Sequence, residues 1–183
     1  MGTLLFEETF ENYRVDMYNR SAYLAAKDFV EMKMVKGMMF GVFGLKGVGK
    51  TRLLRAMANY FAMKYSTGEV VFVEAKELLE ELRTAKKRMD IFLLALKWKY
   101  RNAKVICLDG IQILLTDEEL CDWYMHWFHH CKRKCKRMIY THDCDEKLYC
   151  AFVKLADLDP RAISVGIPKP GQNRNLNVIR EVE

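Results

Sequence analysis

Short apolar runs alternate with segments of helical periodicity along most of this 183-residue chain. Five runs have the length and composition of buried strands, at 38–43, 70–73, 105–108, 137–140 and 163–165. Apolar residues recur at helical spacing between them, at 52–61, 75–82, 92–100 and 117–128. Because the strand runs are continuously apolar and do not alternate with polar residues, the pattern predicts an α/β fold, with a five-stranded parallel sheet covered by helices on both faces.

A glycine-rich sequence, GLKGVGKT at 44–51, connects the first strand run to the helical segment that follows. It matches the phosphate-binding P-loop pattern GxxxxGK[ST] and has the strand-loop-helix setting that this loop requires. The alternative interpretation is a glycine-rich turn that matches the pattern without binding phosphate. Lys50 is predicted to reach the β- and γ-phosphates of a nucleotide, and Thr51 to place its hydroxyl on Mg²⁺. The predicted nucleotide-binding residues of the loop are Gly44, Leu45, Lys46, Gly47, Val48, Gly49, Lys50, Thr51 and Arg52.

A second signal for a nucleotide lies at the end of the strand run 105–108. Asp109 follows this run, where P-loop enzymes place the aspartate that holds Mg²⁺. ATP and Mg²⁺ are therefore the predicted cofactors. An ATPase usually has another acidic residue next, but this chain has Gly110, so we expect hydrolysis to be weak or absent.

The formal net charge is +6, and basic residues concentrate in two stretches, 83–104 and 132–137. Such density suits a nucleic-acid backbone, although a solvated helix face is the usual meaning of a charge run. The six cysteines include no CxxC pair, and the start of the chain does not resemble a secretory signal, which indicates reduced thiols and a cytoplasmic location. Cys131 and Cys135 fit no common zinc pattern, and a helix with incidental cysteines is favoured over a zinc site.

Several segments together resemble the ATPase core of the bacterial replication initiator DnaA. The sequence KYRNAKVICLDGIQIL at 99–114 is similar to the corresponding strand region of that family, and TFENYRV at 9–15, followed by Asn19, resembles its TFDNF-type opening. The segment 44–60 resembles the P-loop and following helix of that family, and 71–78 resembles its second strand and helix. The resemblance covers roughly residues 9–166. It extends to the helicase loader DnaC and the transposition ATPase IstB, and it implies an AAA+ P-loop NTPase fold, a three-layer sandwich.

The resemblance also implies the extent of the domain. We assign residues 1–166 to an AAA+ nucleotide-binding core and 167–183 to a C-terminal tail. Too few residues follow Gly166 for the helical lid or the DNA-binding domain of the initiator, so the lid is expected to be absent. The sequence leaves open whether the chain is a truncated piece or a core-only relative.

The resemblance further suggests roles for individual residues. Tyr13, Val15 and Asn19 correspond to the adenine pocket, or alternatively pack the opening segment against the sheet. Thr141 and His142 lie where the family keeps a polar sensor of the γ-phosphate, although His142 is alternatively an ordinary loop histidine. The predicted catalytic residues are Lys50, Asp109 and Arg161, the last completing a neighbouring subunit's site unless it is simply a surface arginine.

A DNA-binding segment is expected between the second strand and the strand that ends at Asp109. Members of this clade use an extra helix there to grip single-stranded DNA. The predicted DNA-binding residues are Arg83, Lys86, Lys87 and Arg88. The aromatic and aliphatic positions of the same stretch, Phe92, Leu93, Leu96 and Tyr100, are predicted to be core instead.

The functional hypothesis is an ATP-binding AAA+ protein of DNA replication, of the initiator or helicase-loader type. Nucleotide would control its assembly into homo-oligomers and its engagement of single-stranded DNA, with a replicative helicase or another replication protein as partner and no role for a membrane. The alternative is a non-catalytic, nucleotide-binding regulator or adaptor of replication or transposition, similar to IstB. A small-molecule kinase is a third option, which lacks an evident acceptor-binding motif.

Overall fold

One parallel sheet of five strands organises the computed structural model, which describes residues 5–32, 38–66, 68–85, 94, 98, 100–115, 118–134, 137–144 and 163–169. Its strands are β1 (Met39–Gly44), β2 (Val70–Glu74), β3 (Val105–Asp109), β4 (Arg137–Asp143) and β5 (Ile163–Gly166). Their order across the sheet is β2-β3-β4-β1-β5, and every neighbouring pair is parallel. The predicted five-stranded parallel sheet is confirmed.

In the part of the chain that the structure describes, one α-helix precedes β1, and three α-helices and one 3₁₀ helix lie between strands. They are α1 (Arg20–Glu31), α2 (Lys50–Lys64), α3 (Ala75–Ala85), α4 (Glu118–Arg133) and the 3₁₀ helix Ile111–Leu115. Helices α2, α3 and α4 were predicted, but α1 was not, although its buried residues Ala22, Ala26, Phe29 and Val30 have helical spacing. Most of the helix predicted at 92–100, including Phe92, Leu93 and Leu96, lies outside the described residues. Tyr100 is buried, as predicted for a core position.

The sheet is covered on both faces, as the apolar strand runs predicted. One buried cluster joins Phe40 and Val42 of β1 to α1 and α2. The other joins Met39 and Phe43 of the same strand to α3, α4 and the 3₁₀ helix. Because successive side chains of a strand point to opposite faces, β1 to β4 each contribute to both clusters, whereas β5 contributes Val165 to the first cluster. The result is a three-layer α/β sandwich.

Parallel pairing brings several polar strand ends to one edge of the sheet. β1 ends at Gly44, β3 at Asp109 and β4 at Asp143, and Gly44 pairs in register with Asp143. Ligands of open α/β sheets bind at this carboxyl edge. On the basis of the fold alone, the functional site is therefore expected here.

Arg137 is buried, so its inclusion in a basic stretch suited to nucleic acid was wrong. It was counted with the second basic stretch, but it is buried at the start of β4. Its guanidinium donates hydrogen bonds to the carbonyl oxygens of Phe29 and Met32 at the end of α1, and its carbon lies 5.0 Å from the ring centres of Phe29 and Phe61. Burial lowers the pKa of Arg137. It joins β4 to α1 and is not part of a nucleic-acid-binding surface.

The remaining general expectations concern thiols and membranes. The four cysteines within the described part of the chain, Cys107, Cys121, Cys131 and Cys144, are free thiols. Cys135 lies outside the described residues. No helix in the described part is both long enough and apolar enough to cross a membrane.

Asn59 of α2 fixes the N-terminal segment to the body of the domain. Its side-chain oxygen accepts hydrogen bonds from the N–H groups of Leu5 (2.7 Å) and Phe6 (3.0 Å), and its nitrogen donates to the carbonyls of Phe6 (2.8 Å) and Glu8 (2.5 Å). The Asn59 side chain is buried, so its polar atoms have no access to solvent. All four of its hydrogen-bonding positions are used, which makes this amide a specific clamp.

We expect Asn59→Ala to lower the free energy of unfolding by about 2–3 kcal/mol, because it leaves several partly buried backbone groups without partners. Asn12→Ala is the matched control, since Asn12 is exposed and its loss should cost less than about 1 kcal/mol. Urea denaturation of both variants measures the difference. Equal losses would show that Asn59 is not a clamp.

Candidate nucleotide-binding site

The P-loop follows β1 and leads directly into α2. Gly49 precedes the first helical residue, Lys50, and its φ of 96° is in the left-handed region. The N-terminus of α2 has no side-chain cap, so its first N–H groups remain available to an anion beside the positive end of the helix dipole. This is the arrangement that a phosphate group requires.

Lys50 lies at the centre of the site and is only 4% exposed. Its ammonium donates hydrogen bonds to the carbonyl oxygens of Gly44 (2.9 Å) and Leu45 (2.8 Å) and forms an ion pair with Asp143 (2.7 Å). Its three donors are thus directed to three oxygens at the carboxyl edge. A γ-phosphate would compete with the Asp143 carboxylate for this ammonium.

Asp143 was not identified as a site residue from the sequence, although it belongs to the segment in which a sensor was predicted. The available signal was its position, because it lies two polar residues after the apolar run 138–140, whereas Asp109 directly follows the run 105–108. Its backbone N–H donates to the side-chain oxygen of Gln112 at 2.9 Å. Strand β4 and the 3₁₀ helix after β3 are therefore connected beside Lys50.

Asp109 gathers hydroxyl groups from two other elements. One of its carboxylate oxygens accepts hydrogen bonds from the hydroxyls of Thr51 (3.1 Å) and Thr141 (2.5 Å). The Thr141 hydroxyl oxygen in turn accepts a hydrogen bond from the N–H of Gly110 at 2.8 Å. A hydroxyl and a carboxylate are the hard oxygen donors that Mg²⁺ prefers, usually together with waters and substrate phosphates. The predicted pair, Thr51 and Asp109, fits this ion.

The two predicted sensor residues lie on opposite faces of β4. Thr141 faces Asp109, and successive strand side chains alternate, so His142 points to the other face. His142 is a buried strand residue, which makes the loop-histidine alternative wrong. Burial lowers the pKa of His142 to about 4, against the opposing effect of the Asp143 charge, and the Lys50 charge lowers it further. The ring is neutral at pH 7.

The depressed pKa of His142 predicts acid sensitivity. Between pH 6.5 and about 4, the ring binds a proton in the unfolded chain but not in the folded protein, so stability is complete above pH 6.5 and falls as the pH approaches 4. The loss attributable to this ring is up to about 3 kcal/mol. Urea denaturation across this range should show a weaker pH dependence in His142→Gln. An identical slope in both proteins would contradict the assignment.

The opening segment forms one wall of a cavity beside the P-loop. The cavity has a volume of about 250 Å³ and is lined by 16, 18 and 19 of this segment, by 46–48 of the loop and by 167–169 after β5. Asn19 shapes this wall, because its side chain accepts a hydrogen bond from the N–H of Asp16 (2.9 Å) and donates to the Arg14 carbonyl (3.0 Å). Of the three residues predicted for the adenine pocket, Asn19 lines this cavity, and its contact with a base stays a prediction.

Tyr13 and Val15 differ from Asn19 in their surroundings. Tyr13 is buried and stacks on Tyr23 with ring centres 5.7 Å apart, and burial raises its pKa to about 12. Its hydroxyl would lie 3.4 Å from a β-carbon added to Gly49. Val15 is 41% exposed. Neither residue lines the cavity, so the packing alternative describes Tyr13 in this structure, whereas a contact with a bound base stays a prediction for both.

A protein-family model described as the bacterial DnaA ATPase domain matches residues 4–159 of this chain. The chain belongs to this family. It is 29% identical over 187 residues to the chromosomal replication initiator DnaA of Nautilia profundicola, covering 98% of this chain and 40% of that relative. Across the curated DnaA relatives that it matches, the chain spans about one third to two fifths of their length.

Solved structures agree on the fold of this DnaA-family domain. A replication initiator DnaA bound to AMPPCP and single-stranded DNA has a TM-score of 0.69 at 22% identity, covering 91% of this chain and 51% of that chain. The DnaC helicase loader has a TM-score of 0.59 at 20% identity, covering 83% and 86%. The AAA+ fold inferred from the sequence is confirmed, together with its likeness to initiator and loader ATPase domains.

Several predicted site residues of this DnaA-family member lie outside the described residues. They are Arg161, Lys86, Lys87 and Arg88. Arg83 is exposed in the last turn of α3, and Arg52 is exposed in the first turn of α2. Their proposed roles remain predictions.

The boundary after residue 166 also stays a prediction for this DnaA-family domain. Ile167, the first residue beyond it, is buried and donates a hydrogen bond from its N–H to the Phe43 carbonyl at 2.9 Å. Residues 167–169 line the cavity but were not predicted as site residues.

Proposed function

We propose that this domain binds ATP with Mg²⁺ at the loop 44–51 and serves DNA replication as an initiator- or loader-type AAA+ module. The observation that carries the proposal is the convergence of Lys50, Thr51, Asp109 and Thr141, which come from three separate elements and meet at the carboxyl edge of the sheet. Lys50 would bind the β- and γ-phosphates. Thr51 and Asp109 would hold Mg²⁺, and Thr141 would connect the metal site to β4.

The proposed output is nucleotide-controlled assembly on single-stranded DNA. Membership of the DnaA family supports it, as does the DnaA neighbour that was solved with AMPPCP and single-stranded DNA. Arg83, Lys86, Lys87 and Arg88 would contact the DNA backbone, and Arg161 would reach the nucleotide of a neighbouring copy. The likeness to a helicase loader supports a replicative helicase or another replication protein as partner.

We further propose that hydrolysis is slow, so that the ATP-bound state is the working state. Gly110 provides no acidic side chain next to Asp109, and its N–H is bonded to Thr141. The backbone of Gly110 has a φ of 74°, which disfavours most side chains. Slow turnover would prolong the assembled form.

Fluorescence anisotropy with labelled single-stranded DNA tests the proposed output. We expect tighter binding with ATP and Mg²⁺ than with ADP, and affinity that falls as salt increases. Arg83→Ala should reduce the salt dependence, whereas Glu81→Ala, an exposed change on the same helix, should not weaken binding. DNA binding that is indifferent to nucleotide and salt would exclude the DNA half of the proposal.

Introducing an acid at position 110 distinguishes the ATPase from the non-catalytic adaptor. Gly110→Asp is preferred to Gly110→Glu, because aspartate tolerates a positive φ better. We expect the aspartate variant to hydrolyse ATP at least about tenfold faster, since a general base contributes at least this much when well placed. A silent variant that still binds ATP would favour the non-catalytic adaptor.

A further inference from the structure

The side-chain amide of Gln112 occupies the space next to Gly110. Gln112 lies in the 3₁₀ helix that follows β3. A β-carbon added to Gly110 would lie 3.5 Å from the amide nitrogen of Gln112 and 4.0 Å from its oxygen. The carboxamide therefore lies in van der Waals contact with the position where an acidic side chain at residue 110 would begin.

The orientation of this amide is fixed by β4. Its oxygen accepts a hydrogen bond from the N–H of Asp143 at 2.9 Å, which identifies the oxygen and nitrogen of the group. Asp143 in turn pairs with Lys50 at 2.7 Å. Asp143 therefore links Gln112 to Lys50, the lysine that would bind the γ-phosphate.

The amide retains useful hydrogen-bonding capacity. A carboxamide oxygen has a second lone pair beyond the one used by Asp143, and the nitrogen carries two donors. A glutamine can orient an attacking water for phosphoryl transfer without removing its proton. One acceptor site can receive a hydrogen of the water, while a donor contacts a γ-phosphate oxygen.

We propose that Gln112 orients the attacking water during ATP hydrolysis, in place of the missing acid at position 110. This inference rests on the proposed ATP-binding function. The water oxygen forms a bond to the γ-phosphorus, the bond from that phosphorus to the β-γ bridging oxygen breaks, and ADP leaves. The proton of the water passes to the phosphate released, so Gln112 is neither protonated nor deprotonated. Without a base, turnover is slow.

Gln112→Ala separates this role from nucleotide binding. We expect kcat for ATP to fall about tenfold or more, while the Kd for ATP, measured with a fluorescent ATP analogue and Mg²⁺, changes less than about threefold. Asn102→Ala is the control, because Asn102 is an exposed amide before β3, at the opposite edge of the sheet, and both constants should be unchanged.

Gln112→Glu provides the second variant. Its carboxylate still accepts the Asp143 N–H and can also take a proton from water, so kcat should equal or exceed that of the unmodified protein. A kcat for Gln112→Ala within twofold of the unmodified protein would overturn the inference. The inference would also be overturned if Gln112→Ala lost kcat and affinity for ATP by the same factor. It would be overturned as well if the unmodified protein hydrolysed ATP no faster than Lys50→Met. Failure of the unmodified protein to bind ATP would instead refute the proposed function.

Discussion

Replacing Lys50 with alanine is expected to raise the Kd for ATP and Mg²⁺ at least about 100-fold. The ammonium is buried at the carboxyl edge, and it lies between the carbonyls of Gly44 and Leu45 and the carboxylate of Asp143. Charge-assisted bonds of this kind contribute about 1.5–3 kcal/mol each, and about 2.7 kcal/mol corresponds to 100-fold in affinity. The substitution also leaves the Asp143 carboxylate to repel the γ-phosphate.

Two further variants make the Lys50 result specific. Lys64→Ala removes an exposed lysine at the far end of the same helix and should leave the affinity unchanged. Lys50→Met keeps an unbranched side chain of similar length, so it distinguishes loss of the charge from a packing defect. Binding is measured by calorimetric titration, and folding by thermal denaturation without nucleotide. If Lys50→Met folds and binds ATP with unchanged affinity, Lys50 does not bind the phosphates.

Gly44→Ala is expected to destabilise the domain by about 3 kcal/mol or more. A β-carbon on Gly44 would lie 2.5 Å from the carbonyl oxygen of Ile167 and 3.2 Å from a methyl group of Val48. The first contact is with backbone, and Ile167 is tied to β1 by its hydrogen bond to Phe43. The φ of Gly44, 146°, adds strain for any residue with a side chain. Either β1 or the segment after β5 must move.

Gly47→Ala is the matched control for Gly44→Ala. Gly47 belongs to the same loop and has a φ of 89°, but a β-carbon there would meet no atom within 4 Å. We expect only the strain of the left-handed backbone, about 1–2 kcal/mol. Urea denaturation of the two variants isolates the steric contribution. Equal losses of stability would mean that the Ile167 contact is not rigid.

The parts of the fold that the sequence predicted depend on local pattern. β1 and β3 correspond to continuous apolar runs, β4 contains the apolar run 138–140, and the P-loop has both its residue pattern and its flanking elements. Helix α1 was not predicted although its buried face has helical spacing, because its first turn has no acidic residue and its last turn no basic residue to mark its ends. Arg137 was misjudged because a linear charge run does not reveal that one member begins a buried strand.

The candidate site was predictable where a motif defines it and unpredictable where tertiary contacts do. Lys50, Thr51 and Asp109 follow from spacing, and the structure brings them together. The contacts of Asp143 join it to Gln112, 31 positions away, and to Lys50, 93 positions away. Asn59 likewise binds backbone groups of a distant segment. Such contacts are created by strand order and loop placement, which no local pattern specifies.

A crystal structure with AMPPCP and Mg²⁺ would show where the nucleotide and the metal ion bind. We expect the triphosphate in the loop 44–51, with the ammonium of Lys50 moved from Asp143 to the β- and γ-phosphates. We also expect Mg²⁺ beside the Thr51 hydroxyl and Asp109, with the base in the cavity next to Asn19. A nucleotide bound elsewhere, or Lys50 still paired with Asp143 while the phosphates contact other residues, would contradict this expectation.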